Sequence, residues 1–134
     1  MRVLSVDHGT KRIGLAVSDE TGAIAQSIGY VSSVEDVLRV AAERGAGKII
    51  VGVPRRLDNT ASEQTERALA FIATLRVETP LPVEGWDERL TTAQAERVLI
   101  EGNVRRADRK EKRDQLAAQL LLQSYLDAKQ TQQL

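Results

Sequence analysis

The stretch Val3-Leu4-Ser5-Val6-Asp7-His8-Gly9-Thr10-Lys11-Arg12-Ile13-Gly14-Leu15-Ala16-Val17 decides how this chain folds. Val3 to Val6 is a β-branched-rich run ending at Asp7. Gly9-Thr10-Lys11-Arg12 has the composition of a turn, and Ile13 to Val17 is a second apolar run. A connection this short joins antiparallel strands as a hairpin. Asp19-Glu20-Thr21-Gly22 breaks the second run, and Ala23 to Val31 reads as a third, weaker strand. The chain therefore opens as an antiparallel meander.

Beyond Val31 the period changes. Ser32 with Glu35 three residues later reads as a capping box. Val34, Val37, Leu38, Ala41 and Ala42 recur at helical spacing, with Gly45 and Gly47 as the stop. Ile49-Ile50-Val51-Gly52-Val53 is the continuous apolar run of a strand buried on both faces. A loop, Pro54 to Ala61, leads to a helix with Ala68, Leu69, Ile72, Ala73 and Leu75 on one face, and Pro80 and Pro82 bracket the start of a fifth strand, Val83 to Asp87. Thr91 and Gln94 open a short helix that ends at Gly102. The charged segment Val104 to Arg113 precedes a final helix with Leu116, Ala117, Leu120, Leu121, Ser124, Tyr125 and Ala128 on its inner stripe, and residues 130–134 form a frayed tail.

The element order is β-β-β-α-β-α-β-α, a meander followed by alternation that requires right-handed crossovers and parallel strands. The expectation is one α/β domain over residues 1–134, built on a single mixed five-stranded sheet flanked by helices. Asp7, the Gly52-Val53-Pro54 loop and Asp87-Glu88 then share the carboxyl edge, where open α/β sheets place ligands.

Composition narrows the chemistry. The 134 residues contain no Cys, which excludes disulfides, thiolate zinc sites and cysteine nucleophiles. The single His, His8, is expected to be structural, pointing to the opposite strand face from Asp7. Four aromatics are too few to stack successive bases. Gly45-Ala46-Gly47-Lys48 fails as a P-loop, because Ala42 and Ile49 stand where Gly and Ser/Thr are required. An early charge at Arg2 and Asp7, and no apolar stretch near the ~20 residues of a membrane span, lead to the expectation of a soluble cytoplasmic protein.

Nineteen Lys+Arg balance nineteen Asp+Glu, so the net charge is zero, yet the charges are segregated. Residues 104–113 hold six basic and two acidic side chains, +4, which leaves −4 for the remainder. Arg105, Arg106, Arg109, Lys110, Lys112 and Arg113, with Lys11, Arg12, Arg55, Arg56 and Arg89, are the candidate phosphate contacts. Asp7, Glu88 (or its neighbour Asp87) and Asp114 are the candidate metal ligands. Singly, each acid has a structural reading as turn former, surface ion-pair member or helix-dipole partner. Together at one edge they would repel unless cations neutralised them, and all-oxygen ligation suits Mg²⁺ or Mn²⁺.

Val6 to Asp19 resembles the opening of the YqgF family, the pre-16S ribosomal RNA nucleases also described as RuvX-type Holliday-junction resolvase homologues. Three further segments match in order: Ile50 to Pro54, Trp86 to Thr92, and Asp114 to Leu126. The resemblance implies an RNase H-like fold and a divalent-metal nuclease whose acids correspond to Asp7, Glu88 and Asp114. Arg89, next to Glu88 in sequence, is expected to orient it. It implies pre-rRNA as substrate and leaves branched DNA open. The loop Arg56-Leu57-Asp58-Asn59-Thr60 departs from the family's Asn-Met/Leu-Asp/Asn-Gly-Thr. There Asn59 can take the positive φ of Gly, and Arg56 offers a phosphate contact in place of Asn. An ATP-binding turn of the sugar-kinase and actin type shares Asp-x-Gly-Thr but belongs to two-lobed proteins. A non-catalytic nucleic-acid-binding module is the third reading. The residues leave RNA versus DNA, and monomer versus homodimer, open.

Overall fold

The computed structural model describes residues 1–9, 11–56, 58, 60–89, 105 and 109–133, with backbone alone for 109–115 and 130–133. Its elements are β1 (Arg2–His8), β2 (Ile13–Ser18), β3 (Ala25–Val31), α1 (Val34–Glu43), β4 (Ala46–Val53), α2 (Glu63–Glu78), β5 (Val83–Asp87) and α3 (Arg109–Gln133). The strands form one sheet in the order β3-β2-β1-β4-β5. β1 is antiparallel to β2, and β2 to β3. β4 is parallel to both β1 and β5. The chain leaves β1 toward one edge by hairpins and returns to its other side by crossovers, so the carboxyl ends of β1, β4 and β5 lie together.

Alternation along the strands divides the core into two layers. Leu4, Val6, Leu15, Val17, Ile49, Val51 and Val53 pack with Val37 and Ala41 of α1 and Phe71, Ile72 and Leu75 of α2. Val3, Ala16 and Ile50 pack with Ala118, Leu121, Leu122, Tyr125 and Leu126 of α3. This second layer carries polar pins. Buried Ser5 donates its hydroxyl to the Ala118 carbonyl at 2.7 Å. Gln123 accepts from the Ala25 N–H and donates to the Ala23 carbonyl, which ties α3 to the start of β3. The Trp86 ring meets Tyr125 edge-on at 5.1 Å.

Several boundaries differ from the sequence reading. α1 is capped by Ser33, whose extended backbone lets its hydroxyl accept from the Asp36 N–H; both serines have an acid three residues on, and Ser32 lies one residue too early. Gly45, at φ +66°, ends the helix turn, whereas Gly47 lies inside β4, where a Cβ would fall 2.6 Å from Met1 Cγ. α2 begins at a capping box of Ser62 and Thr65 that the sequence reading does not single out. α3 starts at Arg109, because Arg, Lys and Glu are good helix formers, and it runs on to Gln133 where a frayed tail is expected. At the β2–β3 turn, the Thr21 hydroxyl and the Ala23 and Ile24 N–H groups hold the Asp19 carboxyl down to about 2. The short helix expected from Thr91 to Gly102 lies outside the described residues.

Candidate active site

Asp7 is the next-to-last residue of β1 and lies on the α3 side of the sheet. Its position follows from alternation: Val3 and Ser5 face α3, Leu4 and Val6 face α1 and α2. Gly14 is its cross-strand partner, and a Cβ there would lie 3.7 Å from both Asp7 Cβ and Ala118 Cβ. Glu88 extends β5 by one residue, its N–H donating to the Val53 carbonyl at 3.2 Å. The pleat therefore turns Glu88 to the Asp7 side and Asp87 to the other.

The space for Glu88 comes from β4. A Cβ on Gly52 would fall 2.7 Å from Glu88 Cδ and 2.9 Å from Cγ, so only glycine lets this side chain lie across the strand. It reaches the Asp7 carboxylate and hydrogen-bonds with it. Burial, then the Asp7 charge and hydrogen bond, then the Asp87 charge, push the Glu88 carboxyl up to about 9. Two carboxyls in contact keep a proton between them unless a cation takes its place.

Asp87 is engaged elsewhere. Its Oδ2 accepts from Arg89 Nε at 2.8 Å and ion-pairs with the other end of the same guanidinium at 2.6 Å, while Oδ1 accepts from the Arg89 N–H. Burial raises this carboxyl, but the Arg89 hydrogen bonds and charge, helped by Arg55, bring it net below its ordinary value. Of the two neighbours, Glu88, the preferred one, joins Asp7. One expectation is corrected: Arg89 orients Asp87 rather than Glu88, because consecutive residues of a strand point opposite ways.

Both carboxyls open onto a cleft of about 760 Å³ at the carboxyl edge. Of the proposed phosphate contacts, Lys11 and Arg12 line it, and the Arg12 guanidinium stacks 4.0 Å from the Tyr30 ring centroid, another wall residue. Arg55 and Arg56 lie on the loop after β4, outside the lining, and Arg105 is exposed. Arg106 lies outside the described residues, as do the side chains of Arg109, Lys110, Lys112, Arg113 and Asp114. Backbone places Asp114 in the second turn of α3, the helix that covers the Asp7 face. Leu57 and Asn59, and with them the expected turn, also lie outside the described residues.

His8 points to the other side of the strand, as expected, and stacks on Phe71 with centroids 4.4 Å apart and rings 19° from parallel. Burial there and the Arg67 charge outweigh the pull of Asp7 and lower its pKa. Yet His8 also lines the cleft, together with Gln64 and Arg67 of α2, which the sequence reading does not select. The overlooked signal is the Ser62/Thr65 box at the helix start, with Gln64, Arg67 and Phe71 at helical spacing.

Whether these residues suit a divalent cation can be judged from the donor set. Among the described residues no cluster of three or more His, Asp or Glu is present. Two carboxyls in contact over a glycine that leaves them room are a hard-oxygen set of the kind Mg²⁺ and Mn²⁺ take. The residues fit the group.

An antiparallel meander joined to parallel crossovers, with acids at the carboxyl ends of its strands, defines an RNase H-like α/β protein. A profile described as RuvX, Holliday junction resolvase, matches residues 1–128, and the chain belongs to that family. A relative from Pelotomaculum thermopropionicum is 42% identical over 135 residues, covering 96% of this chain and 88% of the relative. One from Geobacillus sp. is 43% identical, covering 97% and 100%. Both are described as “Putative pre-16S rRNA nuclease”. Among solved structures, Thermus thermophilus RuvC matches with a TM-score of 0.55 at 18% identity, over 98% of this chain and 97% of that one. The same protein in complex with a Holliday junction substrate matches at 0.54 and 19%, over 97% and 96%. At such identity these two show the fold alone.

Proposed function

We propose that this chain is a single-domain hydrolase, a divalent-metal-dependent nuclease that cleaves phosphodiester bonds of structured nucleic acid. Its favoured substrate is the 5′ region of precursor small-subunit ribosomal RNA, in the cytoplasm. The carrying observation is the contact between the Asp7 and Glu88 carboxyls over Gly52, at the open end of the sheet. Family membership and the relatives' description support the substrate class. No helix among the described residues is long and apolar enough to cross a membrane.

Asp7 and Glu88 would hold Mg²⁺ or Mn²⁺, with Asp114 at the start of α3 as the third carboxylate. When bound, such ions supply an activated water and charge neutralisation for in-line displacement at phosphorus. Lys11 and Arg12 bind and orient the phosphate backbone at the cleft wall. Glu88 is held in place by Gly52 beneath it and by its N–H bond to Val53. The second reading, a resolvase of branched DNA, is favoured by the description of the matching family.

The test is cleavage of RNA hairpins, single-stranded RNA and four-way DNA junctions in Mg²⁺ and in Mn²⁺, with Asp7→Asn alongside. The variant should lose cleavage while keeping its fold and most of its affinity. Undiminished cleavage by Asp7→Asn, in protein free of contaminating nuclease, would refute the proposal.

A further inference from the structure

The cleft spans both sides of the sheet edge, and its cations stand on both. Arg12 and its Tyr30 platform lie on the α3 side, next to Gly14 and Asp7. On the α2 side stand Gln64, Arg67 and His8. Resting on the nuclease reading above, we propose that Arg67 is a second phosphate-binding residue, gripping the strand on the far side of the carboxyls from Arg12. The substrate it selects is a polynucleotide held on both flanks of the reacting phosphate.

Three observations carry this. First, the helix that bears Arg67 is anchored to the site. Thr65 is fully buried, shares a capping box with Ser62 and donates its hydroxyl to the Pro54 carbonyl just beyond β4. Gln64 and Arg67 flank that anchor, and Phe71, one turn on, stacks on His8 of β1. The Arg67 backbone is thus referenced to the ends of both strands that form the floor. Second, the guanidinium is exchangeable. Its partner is Glu63, at 3.1 Å and i,i+4 spacing, with both side chains about half exposed or more. Exposed pairs of this kind are weak, so a phosphate, which accepts a guanidinium bidentately, can displace Glu63. Third, the cleft of about 760 Å³ is far larger than one phosphate requires, within the range of sites that enclose sizeable ligands. With carboxyls on the floor and cations on opposite walls, the favourable path for a polyanion runs from one wall to the other.

Salt dependence of binding reads this directly, because each phosphate neutralised contributes about 0.7 (single strand) to 0.9 (duplex) to the slope of log K against log[salt]. The parent for binding is Asp7→Asn, titrated against a labelled RNA hairpin and a four-way DNA junction from about 50 to about 300 mM KCl. Adding Arg67→Ala should lower the slope by about one phosphate's share and weaken binding about tenfold, equally for all sequences of one shape. Arg67→Lys should keep the slope, and Glu63→Gln should tighten binding by freeing the guanidinium. In the cleaving protein, Arg67→Ala should raise KM more than it lowers kcat. A slope and affinity unchanged by Arg67→Ala, with Glu63→Gln also without effect, would overturn the assignment. Should Arg67→Ala fail to fold, Arg67→Gln and Glu63→Gln decide it. Wild-type protein that cleaves, with Arg67 variants that match the Asp7→Asn parent in binding, defeats this inference alone; wild-type protein that cleaves nothing defeats the nuclease reading.

Discussion

Gly52 and Gly85 are strand glycines on neighbouring strands, and they keep space open on opposite faces of the same sheet. A Cβ on Gly52 would collide with Glu88 Cδ at 2.7 Å, on the face shared with Asp7. A Cβ on Gly85 would press on Val53 Cγ2 at 2.9 Å and Ile72 Cδ1 at 3.3 Å, on the face covered by α2. One absent side chain makes room for a carboxyl that must move little. The other makes room for methyl groups that can shift. The same residue type in the same sheet thus serves chemistry on one face and packing on the other.

The largest effect expected from this contrast is at Gly52. Gly52→Ala must displace the Glu88 carboxyl by the order of an ångström, and misplacement of that size costs about 100-fold in rate. Cleavage should fall by at least that factor with the thermal midpoint nearly unchanged. A Gly52→Ala enzyme of normal activity would break the comparison at its functional end.

Next comes Glu88 itself in metal-free buffer. Its folded pKa, about 9, lies above the ordinary carboxyl value of 4.5. Between those values the folded state binds more protons than the unfolded state, so stability falls as pH rises from about 4.5 to about 9. Glu88→Gln should remove that fall, leaving the metal-free variant more stable than wild type at pH 8 in urea denaturation. Saturating Mg²⁺ or Mn²⁺ should reverse the ranking, since only wild type gains binding energy from the ion. Parallel pH profiles for the two proteins would show that the Asp7–Glu88 contact does not govern the site.

The smallest effect belongs to Gly85→Ala. Overpacking of the Val53 and Ile72 methyls should cost about 1 kcal/mol, partly offset by the lower chain entropy of Ala. Cleavage per folded molecule should stay at the wild-type level. A Gly85→Ala protein that is stable but inactive would mean that the two faces are not separable.

Much of this was legible along the chain. The Gly9 turn, the buried run at Ile49 and the two crossovers define the sheet that is observed, and acids at the ends of β1 and β5 mark its working edge. Arg67 was not legible, because nothing between Val6 and Arg67 says that one turn of α2 will lie against the end of β1. Arg89 was misassigned for a related reason: proximity in sequence to Glu88 says nothing about which side of the pleat its guanidinium meets. Likewise, Ser32 and Ser33 offer equal caps on paper, and only the extended backbone at Ser33 distinguishes them.

By itself, then, the sequence determined the order of elements, the presence of an acid at each critical strand end, and the segregation of charge within a neutral chain. These depend on local composition and on periods of 2 and 3.6 residues, which a chain carries before it folds. Tertiary structure decided which acid of the Asp87–Glu88 pair meets Asp7, what Gly52 is for, and which helix supplies the far wall of the cleft. Those are matters of register and crossover, fixed only when strands far apart in sequence pair and every side chain is committed to one face of the sheet.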